Sequence, residues 1–453
     1  MPNWPVEHET LDARAFAWTP YWVLGFVALW PLPGPAEAVL ALGALIFAAQ
    51  LLLALARCRV VPLDRRAAIL ASALFAAYWL PEALSAADAL DRGRALKEVV
   101  ADVRYLPFLW AVATALHAAP GRRRVFTGLA VIAATWGIDA LLQAVFGTSP
   151  LFWSLDALKR TVDGDGFCSV AEVLAADRLG GVFGPCNLKL GLVLASLSPF
   201  ALAVAARRGG VAGWCAAAFV LGAAILLGGA RAAWLTYALV LAFSGWRVLG
   251  KRRMLAFAAA GVVALAALYA TSPQLQQRVA RTAQAFEGQD GVDGALSGRA
   301  RIWQGAACMV AAHPFNGVGV RSFRVAWPDC DPAPGQAPAW GAGEAYHAHQ
   351  LVLELLSETG VIGVLSWLAG AWLVWRSWRR ADAAARDRAT PALLALAVTV
   401  FPLNTHLAFY STFWGGLTLL LCGLYAGALH GRGVADAAMP AGAAYAGGGR
   451  PRS

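Results

Sequence analysis

The sequence predicts an all-α polytopic membrane protein of about twelve transmembrane helices, with one large, partly helical external loop. Three observations carry that reading. The chain of 453 residues is 59% hydrophobic and 14% charged, where a soluble domain would be ~25% charged. Its mean hydropathy is +0.57, and 19 Trp and 20 Phe supply lipid-facing and interfacial side chains. Basic clusters recur between the apolar runs, and they all fall on one side if the runs alternate across a bilayer.

The apolar runs lie near 15–31, 36–56, 67–81, 105–119, 125–146, 190–206, 211–228, 232–249, 254–272, 350–375, 390–408 and 413–430. Some are short for the ~20 residues a bilayer needs. The clusters are Arg57/Arg59/Arg65/Arg66, Arg122 to Arg124, Arg207/Arg208, Lys251 to Arg253 and Arg376/Arg379/Arg380. Positive charge is retained inside, so this side and both termini are expected in the cytoplasm. The net charge of +10 and pI of 9.6 then report topology. They call for no nucleic-acid partner. Met1 to Arg14 is polar and lacks the basic, apolar and small-residue succession of a cleaved signal peptide.

Residues 1–430 are expected to form a single membrane-embedded catalytic domain, and the Ala/Gly-rich 431–453 a disordered cytoplasmic tail. Three external segments remain. Residues 82–104 are polar. Residues 147–189 hold an Asp/Gly turn and two cysteines, Cys168 and Cys186, which a bridge or two unpaired small residues explain equally well. Residues 273–349 form the largest insertion. Within it, 273–287 and 297–312 have helical character, His313 to Gly319 reads as a helix stop and tight turn, and 328–343 is Pro/Gly-rich.

Candidate functional residues crowd the external side. Arg231 follows Gly228-Gly229-Ala230 at the start of a helix, where positive charge is disfavoured. A snorkelling arginine is the bland alternative to a functional one. Arg299 and Arg301, ahead of Trp303, lie two apart and cannot share a helical face well. Arg299 is assigned to the site, and Arg301 to it secondarily or to solvent or an acid. His347 and His349 sit where the insertion re-enters the membrane, and imidazole suits proton transfer near neutral pH. Glu354 and Glu358 follow at i, i+4 on one face, as partners for arginines or as struts holding the loop. Lys189, Arg321 and Arg324 are weaker candidates for substrate binding. Asp163-Gly164-Asp165 has the spacing of a metal-dependent sugar transferase, but its flanking glycines favour a turn. Gly250-Lys251 is followed by Arg252 and is not a P-loop. No metal site and no cofactor motif is expected.

In sum these residues resemble the O-antigen ligase family (WaaL), within the group that includes O-antigen polymerases (Wzy) and protein O-oligosaccharyltransferases. The resemblance rests on Arg231-Ala232-Ala233-Trp234, Arg299 four residues before Trp303, and the turn Pro314 to Gly319. It ends on His349, Glu354 and Glu358-Thr359-Gly360. Gln350 stands where an asparagine is common. The match is strong over roughly 180–365 and extends to the whole chain in topology. It implies a GT-C-like glycosyltransferase of the bacterial inner membrane, with its active site on the periplasmic face. The implied reaction is metal-independent and inverting. The donor would be an O-antigen glycan on undecaprenyl pyrophosphate, and the acceptor a sugar hydroxyl of lipid A–core. On this reading His349, Arg231 and Arg299 are catalytic, and Arg301, His347, Lys189, Arg321 and Glu354 bind substrate. A polymerase and a protein O-oligosaccharyltransferase remain as alternatives within the group. From another class, a polyprenyl-linked glycan transporter would place charges and helix breaks deep in paired spans.

Overall fold

In the computed structural model the described residues are 14–57, 59–175, 178–273, 276, 279–280, 298–336, 344–405 and 408–433. Most of the expected helix at 273–287, part of 328–343, Cys58 and the tail from 434 lie outside them. No strand occurs among the described residues.

The helices run α1 Thr19–Ala28, α2 Pro33–Ala56, α3 Arg65–Ser85, α4 Arg92–Asp102, α5 Tyr105–Ala115, α6 Ala119–Phe146, α7 Pro150–Asp163, α8 Val170–Ala175, α9 Leu190–Leu227, α10 Arg231–Thr271, α11 Arg299–Ala312, α12 Phe323–Cys330, α13 Leu351–Arg380, α14 Ala383–Thr399 and α15 Thr412–His430. Seven of them (α2, α3, α6, α9, α10, α13 and α15) are long and apolar enough to cross a membrane. Three more apolar runs form α1, α5 and α14, of 10, 11 and 17 residues.

Two of the seven are hairpins. Gly210 in α9 (φ 56°, ψ −141°) and Gly250 in α10 (φ 70°, ψ 170°) leave the helical region. Glycine reaches this left-handed region without a Cβ clash. The chain reverses at each. A Cβ on Gly213 would meet the Ala205 carbonyl, and one on Gly245 would meet Met254 and Trp214. Each apolar run in the sequence thus matches one helix, or one half of a hairpin.

α15 is the innermost helix. Its side chains are buried from Trp414 to Leu429, and it packs on α3, α5 and α14. α9 packs on α6, α10 and α14, and α13 packs on α3. Leucines on α2 and aromatics on α10 and α13, such as Leu45, Phe243 and Trp372, stay exposed. A soluble protein would bury such surface, whereas a lipid-facing one need not. Asp139, an acid within α6, caps α7: it accepts hydrogen bonds from Ser149 Oγ at 2.6 Å and Leu151 N at 2.9 Å.

The insertion has its own small core. Ile302, Met309, Val318, Phe323 and Trp327 pack together, with Ala348 from the returning segment. Disulfides Cys168–Cys186 and Cys308–Cys330 clip the 147–189 segment and the 273–349 insertion; the sequence singled out the first pair and not the second. Among the described residues the remaining cysteines, Cys215 and Cys422, are free.

Candidate active site

The insertion is held by its tight turn. Pro314 to Gly319 docks on a break in α13 at Gly360 (φ 64°, ψ −161°). A helix interrupted there exposes backbone groups that must find partners. The turn supplies them: Val318 N donates to Ser357 O and Gly319 N to Glu358 O, while Val361 N donates to Pro314 O. Gly317 and Gly360 both have positive φ, and a Cβ on either would strike backbone of the opposite segment. On its other side the turn fastens to the end of α3. Asn316 Nδ2 donates to Leu84 O and Asp88 Oδ1, Val320 N to Ser85 Oγ, and Leu90 N to Val318 O.

α11 then projects its first turn toward the start of α13. Arg299 is its first residue, after Gly298 at φ 77°. Trp303, one turn on, lies on the same face. Its indole Nε1 donates to Ala348 O at 3.1 Å, pinning the backbone just before His349. The Arg-to-Trp spacing therefore sets Arg299 against the histidine. Arg299 Nη1 donates to Thr405 Oγ1 at 3.2 Å. Gln350 caps α13 through Leu353 N and reaches Pro402 O, and Leu351 N donates to Asn404 O. The 402–405 loop is thus tied to both arginine and histidine.

Arg231, Arg178 and Arg299 converge. Burial, and then the charges of Arg231 and Arg178, lower the pKa of Arg299. His349 is half-buried and held at φ 52°. Its pKa falls to about 4 through burial first and the Arg299 charge second. It is therefore the neutral imidazole at pH 7, with a nitrogen lone pair available. The rings of His347 and His349 lie 3.8 Å apart. Arg231 and Arg299 each begin a helix, and His349 lies two residues ahead of one. At helix N-termini the unpaired amides add to the positive potential. The arrangement suits an anion held by guanidiniums beside a neutral base.

The other candidates have partners of their own. Arg301 is engaged by Asp331 through two 2.7 Å contacts, and by the carbonyls of Ala333 and Gln336. Arg301 thus fastens the loop, and Asp331 is the acid that the sequence left unnamed. Glu354 is buried and accepts from the Phe409 and Tyr410 amides, which makes it a strut between α13 and the 408–411 loop. Glu358 accepts from Arg321 N at 3.0 Å. The Arg321 side chain faces Glu98 at 3.8 Å, within an acidic group that includes Glu82 and Asp102. Lys189 lies 4.2 Å over the Phe413 ring, and burial lowers its pKa. Arg324 stacks on Tyr346 at 4.6 Å. Gly164 caps α7 in the left-handed region, so Asp163 and Asp165 belong to a helix stop.

Residues 193–368 match the family model Wzy_C, described as O-antigen ligase. The match covers 176 of the 453 residues. No curated protein matches the chain. Members of the O-antigen ligase family are glycosyltransferase-like enzymes acting on polysaccharide or lipid-linked substrates. The matched segment contains Arg231, Arg299, His347 and His349, together with the Pro314 to Gly319 turn and its receptor at Gly360. Arg178 and Lys189 precede it. Arg178 escapes sequence reasoning because a lone arginine in a polar loop carries no local signal, and only the fold brings it to Arg299.

Proposed function

We propose that this protein is an O-antigen ligase. It transfers a glycan from undecaprenyl pyrophosphate to a sugar hydroxyl of lipid A–core, at the periplasmic face of a bacterial inner membrane. The observation that carries the reading is the convergence of Arg178, Arg231 and Arg299 beside the neutral His349. Like charges gathered in a half-buried site favour an anion between them, and a pyrophosphate supplies one.

The chemistry follows from those groups. The acceptor hydroxyl attacks the anomeric carbon, and the bond from that carbon to the pyrophosphate oxygen breaks. The arginines stabilise the charge that develops on the departing oxygen. His349 takes the hydroxyl proton as the new glycosidic bond forms, because the hydroxyl is too weak an acid to ionise beforehand. Direct displacement inverts the anomeric configuration. The lipid tail has a place to lie. An apolar cavity of about 310 Å³ runs between α3, α13, α14 and α15, from Pro402 and Phe409 beside the site to Trp378. Two disulfides on the segments opposite the basic clusters support an oxidising compartment for this face.

The test uses purified protein, the lipid-linked donor and lipid A–core, with and without EDTA. Transfer that survives EDTA is expected. No transfer, or transfer abolished by the chelator, rejects the reading. A deletion strain separates the close alternative. A ligase leaves long lipid-linked polymer unattached, whereas a polymerase leaves core bearing a single repeat.

A further inference from the structure

A second cavity opens at the opposite ends of the helices. It has a volume of about 1860 Å³ and lies between α6, α9, α10 and α14. That exceeds the ~300–1,000 Å³ of ordinary small-molecule pockets. Arg231 begins α10 and Arg247 lines this cavity near the end of the same helical segment, so the two faces are about 24 Å apart at 1.5 Å per residue. The proposed active site plays no part in it.

Its lining is divided by chemistry. Arg122 to Arg124, Arg207, Arg208, Arg247 and Arg388 line it, with Asp387 the one acid in the lining. Asp387 is already taken by Arg247, at 3.3 Å. Arg388 Nε is buried and has no hydrogen-bond partner among the described residues. Arg122 is buried and donates to the carbonyls of Leu116 and Arg432. The inner walls are apolar: Phe126, Pro199, Leu202, Trp214, Leu394 and Ala397. Retention of positive charge on one face explains arginines at helix ends. It does not explain arginines lining a deep cleft with a greasy floor.

We propose that this cleft binds an anionic phospholipid, with the phosphate headgroup among the arginines and the acyl chains along the apolar walls. A basic pocket between transmembrane helices is suited to such a headgroup. Free phosphate would satisfy the arginines but has no use for the floor. A zwitterionic lipid would fill the floor but leaves the crowded positive charge uncompensated.

The experiment measures lipid retention by the full-length protein in detergent, by native mass spectrometry. Phosphatidylglycerol and phosphatidylethanolamine of the same acyl chains compete. Preferential retention of phosphatidylglycerol is expected. The triple variant Arg123→Gln/Arg207→Gln/Arg208→Gln should lose it by roughly fivefold per arginine, on the order of 10²-fold in all. Lys251→Gln/Arg252→Gln, on the same face but outside the cleft, should retain it. Equal retention of the two lipids overturns the proposal, as does an equal loss in the two variants or displacement by millimolar inorganic phosphate alone. A phosphatidylglycerol with a photoactivatable acyl chain gives a readout on the unaltered protein. Crosslinks should concentrate on the wall residues of α6, α9 and α14. Crosslinks spread evenly over the lipid-facing helices would sink the idea.

Discussion

His349 carries two unusual properties at once: a left-handed backbone angle of 52° and a pKa held at about 4. The second makes a pH prediction with a definite sign. In the free enzyme the imidazole is neutral above about pH 4, so the acid limb of kcat/KM should fall near there. On the proposed function, a bound pyrophosphate would offset the Arg299 charge that depresses the histidine. The acid limb of kcat, which reports the loaded enzyme, should therefore lie at higher pH. Profiles of both constants measure this, and limbs that coincide near pH 6.5 would contradict it. His349→Ala should abolish most transfer while leaving donor binding intact. Arg231→Ala and Arg299→Ala should each cost on the order of 10²–10³ in rate, and lysine should rescue poorly because it lacks the planar fork. Arg301→Ala should behave differently. It strands a largely buried Asp331 and should cost stability, about 3 kcal/mol by thermal or denaturant unfolding. The transfer rate of the folded fraction should change little.

At the scale of elements, the docking of one turn on one helix break fixes the site. Gly360→Ala places a Cβ against the Phe315 carbonyl at φ 64°. The conformational strain alone is about 1–3 kcal/mol, so a lowered melting temperature is expected. Trp303→Phe keeps the ring but removes the donor to Ala348 O. It should lower kcat more than it lowers stability. A melting shift as large as that of Gly360→Ala would show that Trp303 serves the fold alone. The insertion has a second fastener. Reducing Cys308–Cys330, which are 22 residues apart, should remove roughly 3 kcal/mol from the loop by the chain-entropy argument. Activity should fall on reduction even with the membrane helices intact.

The whole molecule shows which features a sequence discloses. Apolar runs and basic clusters answer to the bilayer, a solvent the same for every chain, so the spans could be placed by inspection. Arg231 and Arg299 could be singled out because cations on the face expected opposite the basic clusters need a reason, and His349 because it adjoins the large insertion. Arg178, the Glu82 and Asp102 acids and the Cys308–Cys330 bridge were not. Each is defined by a partner far away in sequence, and no local period marks it. Nor was the Gly360 break, since a glycine in a helical run is read first as a weak helix residue. Topology itself is testable with a membrane-impermeant thiol reagent. Cys58, Cys215 and Cys422 are replaced and the two disulfides kept, because they do not react. Gly335→Cys should label from outside, and Arg123→Cys should not.

Gly360 also bears on how the chain enters the membrane. Glu354 and Glu358 precede it in α13, and an acidic side chain at mid-bilayer costs ~2.5–3.5 kcal/mol in insertion. Beyond the glycine, Val361 to Trp375 is apolar, and Arg376, Arg379 and Arg380 close the helix, so the segment to Arg380 is long enough for one crossing with its arginines at the membrane edge. The insertion machinery can recognise that stretch alone as a membrane segment. The acidic half then need not partition into lipid, because the Pro314 to Gly319 turn, which precedes it in the chain, is there to hold it.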